Sequence, residues 1–289
     1  MPTVGLDHAV LVHRSMDEAE SLARRLGFLT TPRAVHPFGT GNVLVQFDDH
    51  NLEFLAILDA DKVDADRPDG FSFARFNRDF LARNGPGLSM IVVKSLDRAA
   101  DAERFRDAGF VTEPFSFSRA AKAPDGTDAA VSFDLLFAEG PLLSDAGLFT
   151  CRHNHTPELY YKPANRHNPN GTVGVAGVLM AALDPGAVAE TLAITTGGER
   201  RPGPFGERVS FGPDVFDVLA PDMLREALGL SVHVPPSGLR HVGLRLSADP
   251  IAVRGSLETG GVPHRAVGDR IVATPDGPSG GVFLFEPSA

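Results

Sequence analysis

The chain has 289 residues, of which 43% are apolar and 22% charged, with a formal net charge of −10. These values are typical of a globular protein with one large domain or two ordinary ones. No Lys/Arg-rich segment occurs, so neither nucleic acid nor an anionic membrane is expected as a partner. No apolar run approaches the roughly 20 residues of a membrane span, and no secretory signal pattern is visible. A single cysteine, Cys151, favours a reducing compartment, so we expect a cytoplasmic protein.

The first predicted unit is a strand, a helix and two further strands. Residues 6–12 form an apolar, strand-like run. The next helix is predicted to begin with a capping box, in which Ser15 and Glu18 satisfy free N–H groups of the first turn, and to end at Gly27. The runs GNVLVQF and NLEFLAIL then predict two strands joined by a turn.

This unit recurs about four times along the chain. Further copies begin at GLSMIVVK, GVAGVLMAALD and GLRHVGLRL. An irregular insert over 59–86, with a short helix around 73–81, separates the first two copies. The Gly- and Pro-containing stretch 163–171 separates the first pair of copies from the second. We therefore predict two domains, residues 1–165 and 170–289, with one pair of units in each.

A single unit of this kind cannot enclose a core, so two units are expected to share one curved sheet. The motifs GLDHAVL, SMDEAESLARRLGF, GNVLVQF and NLEFLAI together resemble the vicinal oxygen chelate superfamily, which includes glyoxalase I, extradiol dioxygenases and bleomycin-resistance proteins. The loop HPFGTGN is similar to that of its glyoxalase-like branch. The resemblance implies an α+β fold in which tandem βαβββ modules pair into curved, mostly antiparallel sheets. Each sheet would form a cup with its helices outside.

Two residues of the first unit are candidate metal ligands. Alternation places His8 on one face of the first strand, and Glu53 is an acid in an otherwise apolar strand, where an unpaired carboxylate is rarely left. The resemblance implies that the ligands come from the first and last strands of each unit, which His8 and Glu53 match. In the second unit we assign these positions to Met90, a poor ligand for most divalent ions, and to Glu158.

The implied site is a divalent metal ion held by His8, Glu53 and Glu158, with open positions for water and substrate. This donor set suits Fe, Mn, Ni or Zn and does not distinguish among them. The alternative is that the ancestral site has become a metal-free pocket.

Histidines cluster beside Glu158 in the stretch CRHNHTPE. His153 and His155 are two residues apart on a predicted strand and would share a face, so we predict His153, His155 and Glu158 as catalytic residues. The alternative is a solvated turn between strands. Cys151 is not predicted to be a nucleophile, because nothing in the sequence indicates a lowered thiol pKa.

The loop over 36–42 is predicted to contact substrate. Gly39 and Gly41 would let its backbone approach a ligand closely. The predicted substrate-binding residues are His36, Phe38, Thr40, Asn42 and Tyr160.

The second pair of units repeats the pattern only in part. His241 stands at the position of His8, and Asp217 stands roughly at that of Glu53. We do not expect a complete second site, and we interpret this pair as scaffold, dimer surface or lid.

The function expected from these features is a metal-dependent, glyoxalase-like isomerase, lyase or hydrolase acting on a small, oxygen-chelating substrate. One alternative is an extradiol-type dioxygenase, which would require His155 to replace Met90 as a ligand. Another is a small-molecule binding protein without turnover. The partner is a small molecule in each case, and the chain is expected to be a monomer or a homodimer.

Overall fold

The computed structural model describes residues 5–67, 69–123, 125–160, 165–277 and 280–288. The helices in these residues are α1 Met16–Arg25, α2 Ala60–Ala65, α3 Phe73–Asn84, α4 Arg98–Asp107, α5 Pro157–Tyr160, α6 Pro185–Thr196, α7 Pro221–Leu228 and α8 Pro250–Thr259. The strands of the first half are β1 Leu6–His13, β2 Ala34–Val35, β3 Thr40–Gln46, β4 Asn51–Ile57, β5 Gly87–Lys94, β6 Val111–Lys122, β7 Asp128–Glu139 and β8 Gly147–His153. Those of the second half are β9 Thr172–Ala182, β10 Glu199–Gly203, β11 Gly206–Phe211, β12 Asp214–Leu219, β13 Leu239–Ala248, β14 His264–Val267, β15 Arg270–Ala273 and β16 Val282–Glu286.

Each half of the chain folds into one eight-stranded sheet, and the two sheets have equivalent strand orders. The first order is β2-β3-β4-β1-β5-β8-β7-β6, and the second is β10-β11-β12-β9-β13-β16-β15-β14. β1 pairs in parallel with β4 and antiparallel with β5, and β5 pairs in parallel with β8. Each sheet therefore contains two βαβββ modules joined by a central antiparallel pair, and the predicted α+β fold of tandem modules is confirmed.

Helix α1 shows why the module begins as the sequence predicts. The Ser15 hydroxyl accepts a hydrogen bond from the Glu18 backbone N–H, as in the expected cap. The Glu18 carboxylate accepts from the backbone N–H of Arg14 and not from that of Ser15, so the predicted capping box is displaced by one residue. The buried face, which includes Ala19 and Leu22, packs the helix on the sheet.

The apolar interior falls into three clusters. The largest, here called the shared core, contains residues of both sheets and of their covering helices, among them Leu11, Leu22, Leu192 and Phe283. α4 packs against α6 and α1 against α8. The helices thus lie outside each cup and also between the two halves. The other two clusters belong to one half each and include the insides of the two cups.

The insert between the first two modules covers the first cup. The predicted short helix is present as α3 Phe73–Asn84, and α2 precedes it. Phe73 and Phe80 of α3 are buried in the cluster inside the cup, beside Val10 and Val92 of the central strands. The insert therefore supplies part of the wall of the site described below.

The predicted boundary at 163–171 falls partly outside the described residues, which resume at 165. Asn168 and Asn170 bond back to the first module, at the backbone of Leu29 and Leu26 respectively. The two sheets divide near this point, while the division into two domains stays a prediction because the shared core joins them. Among the helices of the described residues, none has the length and apolar character needed to cross a membrane.

Candidate functional site

The inside of the first cup holds a cavity of about 50 Å³ with an aromatic wall and a polar base. This arrangement is typical of small-molecule sites, where a few placed polar groups orient a ligand within an apolar pocket. The lining residues are His8, His36, Phe38, Asn42, Glu53, Phe73, Phe117, Arg119, Phe133, Leu135, Phe149, Cys151, His153 and Tyr160.

His8 and Glu53 meet at the base of this cavity. Their strands, β1 and β4, are parallel neighbours, with His8 opposite Asn51 and Val10 opposite Glu53. The Nε2 atom of His8 lies 3.5 Å from Oε2 of Glu53. The Nδ2 atom of Asn42 donates a hydrogen bond of 2.5 Å to Oε1 of Glu53. The proximity of His8 and Glu53 that the family resemblance implies is therefore present.

A β-bulge brings Asp7 into the same group. Leu6 pairs with Val93 and His8 with Val92, so β1 contains one residue more than β5 at this point. Bulges re-aim side chains in this way. Oδ1 of Asp7 lies 2.6 Å from Nδ1 of His8, and Oδ2 lies 3.0 Å from Nε2 of His153. The sequence analysis missed Asp7, since a regular strand would point it away from His8.

The buried charges of this group stabilise one another. Burial lowers the pKa of His8, but the carboxylates of Asp7 and Glu53 outweigh this effect and raise it to about 9. Burial raises the pKa of Glu53, but contact with His8 outweighs burial and holds the pKa below its usual value. The pKa of Asp7 is also lowered, because His153 and His8 outweigh burial. The base of the cup therefore holds a protonated imidazole between two carboxylates.

The predicted loop 36–42 does lie against the cavity. The His36 ring stacks on Phe38 at 5.0 Å, and its Nδ1 is 2.8 Å from Oγ1 of Thr40. Gly39 has a φ of +91°, and a Cβ there would lie 2.5 Å from the carbonyl oxygen of Asp59, so the turn requires glycine. Burial chiefly lowers the pKa of His36 to about 4, which leaves its imidazole neutral.

Of the five predicted substrate-binding residues, four line the cavity. His36, Phe38, Asn42 and Tyr160 belong to its wall or base. Thr40 is fully buried, is not a lining residue and contacts His36 instead.

The expected position of Glu158 is wrong. β8 ends at His153, and Pro157 begins the short helix α5, in which Glu158 is exposed and outside the cavity lining. Met90 pairs with Gly147 as His8 pairs with Asn51. The counterpart of Glu53, two residues further along the strand, is therefore Phe149. The implied ligand set His8, Glu53 and Glu158 does not converge.

The two predicted catalytic histidines have different surroundings. His153 lines the cup and contacts Asp7. His155 lines a neighbouring groove, and its Nδ1 lies 3.0 Å from the carbonyl oxygen of Ser132. Burial lowers the pKa of His155. The two rings lie 5.1 Å apart, so the cluster exists, but only His153 reaches the cavity.

Asp7, Cys151 and His153 form a group that could hold a metal ion. Their candidate donor atoms all lie within 4.8 Å of one another. Cys151 is buried beside the cavity, and burial raises the pKa of its thiol. Thiolate, imidazole and carboxylate are the ligand types of zinc sites.

The second cup is organised differently from the first. Asp217 is fully buried and receives a two-pronged bond from Arg208, at 2.7 and 2.9 Å, and a further one from Arg245 at 2.6 Å. Arg245 also pairs with Glu286 at 2.5 Å. Burial lowers the pKa of His241 to about 3, so this imidazole is neutral. Asp217 thus serves as an ion-paired carboxylate and His241 as a core histidine.

Arg119 and several phenylalanines of the cup were also missed by the sequence analysis. Phe117 and Arg119 lie on β6, Phe133 on β7 and Phe149 on β8. The alternation in PFSFSRAAK was a usable signal, because Phe115, Phe117 and Arg119 share one face of a strand.

Comparison with solved structures supports the fold. A hypothetical protein from Staphylococcus aureus matches with a TM-score of 0.67 and 12% identity, over 98% of this chain and 99% of that chain. A mutant of 4-hydroxymandelate synthase from Streptomyces coelicolor matches with a TM-score of 0.59 and 14% identity, over 100% and 95%. A fusion of a xylose isomerase-like TIM barrel with 4-hydroxyphenylpyruvate dioxygenase matches with a TM-score of 0.52 and 12% identity, over 99% of this chain and 49% of that chain.

Sequence comparisons define the family. A search of curated protein sequences gave no match. The family model described as a glyoxalase-like domain matches residues 6–196, which include both modules of the first sheet and the start of the second. The chain therefore belongs to the glyoxalase-like domain family, within the vicinal oxygen chelate superfamily that its repeated motifs resemble.

Proposed function

We propose that this protein is an enzyme that moves a proton on a small, oxygen-bearing substrate in the first cup, with an isomerase, lyase or hydrolase outcome. The observation that carries this proposal is the buried His8–Glu53 pair at the polar base of an otherwise aromatic cavity. Charged groups are rarely kept in such a place for stability alone, and perturbed pKa values in a cleft mark candidate functional residues.

In this proposal Glu53 acts as the general base and His8 as the general acid. Glu53 is ionised and would take the proton from carbon or water. His8, with its pKa raised to about 9, is protonated at neutral pH and would donate a hydrogen bond or proton to the substrate oxygen as negative charge develops. Neutral His36 and the amide of Asn42 add polar contacts near Glu53. A raised pKa at His8 beside a lowered pKa at Glu53 is the pattern expected of an acid and a base that act together.

The family resemblance implies a divalent ion, but the residues at the family positions do not fit one. His8 and Glu53 supply two donors, while Met90 and Phe149 occupy the corresponding places in the second module. Met90 is fully buried, and its sulfur accepts from the Asn77 amide at 3.5 Å. The Phe149 ring has no donor atom and packs edge-on against His8 at 5.9 Å. We derive no catalytic step from an ion at these positions.

We place the cofactor instead at Asp7, Cys151 and His153, and assign it to the class of Zn²⁺. The mutual proximity of the three donors supports this placement, and a thiolate disfavours Mg²⁺ and Ca²⁺. Titration with Co²⁺ should produce sulfur-to-metal charge-transfer absorption, and Cys151→Ser should abolish it, while Glu53→Gln should leave it unchanged. Loss of binding in Glu53→Gln with retention in Cys151→Ser would refute this placement in favour of the family position.

A binding protein without turnover is the second candidate. The loss of donors at Met90 and Phe149 and the dense aromatic lining both favour it. The dioxygenase alternative has less support, because His155 contacts Ser132 and lies outside the cup.

Hydrogen exchange into substrate separates the enzyme from the binding protein. The protein is incubated in D2O with a panel of 2-oxo and 2-hydroxy carbonyl compounds, and deuterium at the carbon next to the carbonyl is followed by NMR. Glu53→Gln, which keeps the side-chain shape, should slow exchange about 10²- to 10⁴-fold. Glu158→Gln is the matched control, since Glu158 is exposed outside the cavity, and it should retain the wild-type rate. Equal rates in wild type and Glu53→Gln would refute the proposal.

A further inference from the structure

Arg119 projects from an apolar face of β6 into the cup. Side chains two residues apart on a strand share a face, and Phe115, Phe117 and Ala121 on this face pack in the cluster inside the cup. Arg119 lies between them and lines both the aromatic cavity and the groove beside it. The guanidinium of Arg119 thus occupies a position on this face where the neighbouring positions hold apolar side chains.

Within the described ranges, no carboxylate forms an ion pair with Arg119. The nearby Lys122 is paired with Asp128 at 2.6 Å, so the acid of the adjoining groove is already engaged. Glu53, the carboxylate in the cavity lining, is held by His8 and Asn42 at the base.

A cation among phenylalanines is costly unless an anion meets it there. Guanidinium binds a carboxylate through two parallel hydrogen bonds, which explains why arginine suits this task better than lysine. The flanking rings fit an apolar body, since Phe117 stacks with Phe133 at 5.1 Å and meets Phe38 edge-on at 5.5 Å. The Glu53 carboxylate, at the base of the cup, would repel a ligand carboxylate placed beside it.

We propose that the cup binds a carboxylate with an aromatic or similarly flat apolar body, and that Arg119 holds its carboxylate. The opposite end, which bears the reacting carbon and oxygen, would then point toward His8 and Glu53. This orientation rests on the proposed function, whereas recognition of the carboxylate by Arg119 does not. Among the described residues that line the cavity, Arg119 is the one guanidinium, which favours a carboxylate over a doubly charged phosphate.

The test is an NMR titration with three probes of similar size: phenylacetate, its neutral amide phenylacetamide, and phenyl phosphate. Wild-type protein should bind phenylacetate about tenfold or more tightly than the amide. Arg119→Gln should weaken phenylacetate binding about 10- to 100-fold and leave the amide unchanged. The affinity of Arg119→Lys for phenylacetate should lie between those of wild type and Arg119→Gln, because lysine keeps the charge and loses the paired hydrogen bonds of the guanidinium.

Lys122→Gln is the matched control, because it removes a cation from the same strand that is already paired with Asp128. It should bind phenylacetate as wild type does. Equal affinity for phenylacetate and phenylacetamide, or no loss in Arg119→Gln, would overturn the inference, and stronger binding of phenyl phosphate would assign the site to phosphate esters instead. Carboxylate binding that needs Arg119 but comes without any hydrogen exchange would refute the proposed catalysis and leave this inference intact.

Discussion

His8 carries a carboxylate beside each ring nitrogen, Asp7 at 2.6 Å from Nδ1 and Glu53 at 3.5 Å from Nε2. Both contacts favour the imidazolium ion, and together they outweigh the burial that would otherwise expel a charge. His241, which the repeated motif GLRH aligns with His8 in sequence, is buried without such neighbours, and its pKa falls to about 3. Two buried histidines thus hold opposite protonation states because their neighbours differ.

These pKa values predict how stability depends on pH. The pKa of His8 is raised from 6.5 to about 9, so its contribution to stability is complete below pH 6.5 and is lost as pH rises through 9. The free energy of unfolding of wild type relative to His8→Gln should therefore fall by about 3 kcal/mol across this window. Urea denaturation at several pH values measures the difference.

NMR of labelled histidines provides the direct control. The His8 resonance should titrate near pH 9, and His241 should stay neutral across the range where the protein is folded. A His8 that titrates near 6.5 would contradict the assignment of His8 as the proton donor.

At the scale of elements, the pairing of strands within each module sets which residues lie opposite each other. Where β13 pairs with β9 in the second sheet, His241 lies opposite Met180 and Gly243 opposite Leu179, so β13 contains one residue more than β9. This bulge is like the one before His8 in β1 of the first sheet. At Gly243 the neighbouring strand β16 comes so close that a Cβ would lie 2.0 Å from the carbonyl oxygen of Val282. Glycine is therefore required where β13 and β16 pack.

Gly243→Ala should lower the free energy of unfolding by about 3 kcal/mol, because the added methyl group must push two strands apart. Gly255→Ala is the control. Gly255 is exposed in α8 with nothing within 4 Å of its added Cβ, so alanine should stabilise by up to about 1 kcal/mol. Urea denaturation checks both, and similar effects of the two changes would contradict the close packing of the strands.

At the scale of the whole molecule, the two sheets are joined by polar contacts and by the shared core. Asp214 of β12 accepts from the Leu6 backbone N–H at 2.7 Å and lies 2.9 Å from Nε2 of His50, so a residue of the second sheet anchors the first. Gly260 fits against the backbone of Arg25, where a Cβ would lie 2.0 Å from its carbonyl oxygen. The halves are packed as parts of one core.

We therefore expect a single cooperative unfolding transition. Scanning calorimetry should give equal calorimetric and van't Hoff enthalpies, and Asp214→Ala should shift the whole transition to lower temperature. Two resolved transitions, with only one moved by Asp214→Ala, would instead support independent folding of the predicted domains 1–165 and 170–289.

The sequence by itself determined the modules and one end of the site. Capping at Ser15, helical and strand periodicity and the repeated openings are local properties, and they predicted the repeated strand–helix–strand modules. The family resemblance of these motifs implied the α+β fold and the meeting of His8 with Glu53. Strand order and register, which depend on contacts between distant segments, were decided only in the tertiary structure. Register placed Phe149 where Glu158 was expected, and a bulge turned Asp7 toward His8. The position of Arg119 inside the cup followed from the closing of the sheet, because the alternation in PFSFSRAAK indicates which side chains share a face and not what that face packs against.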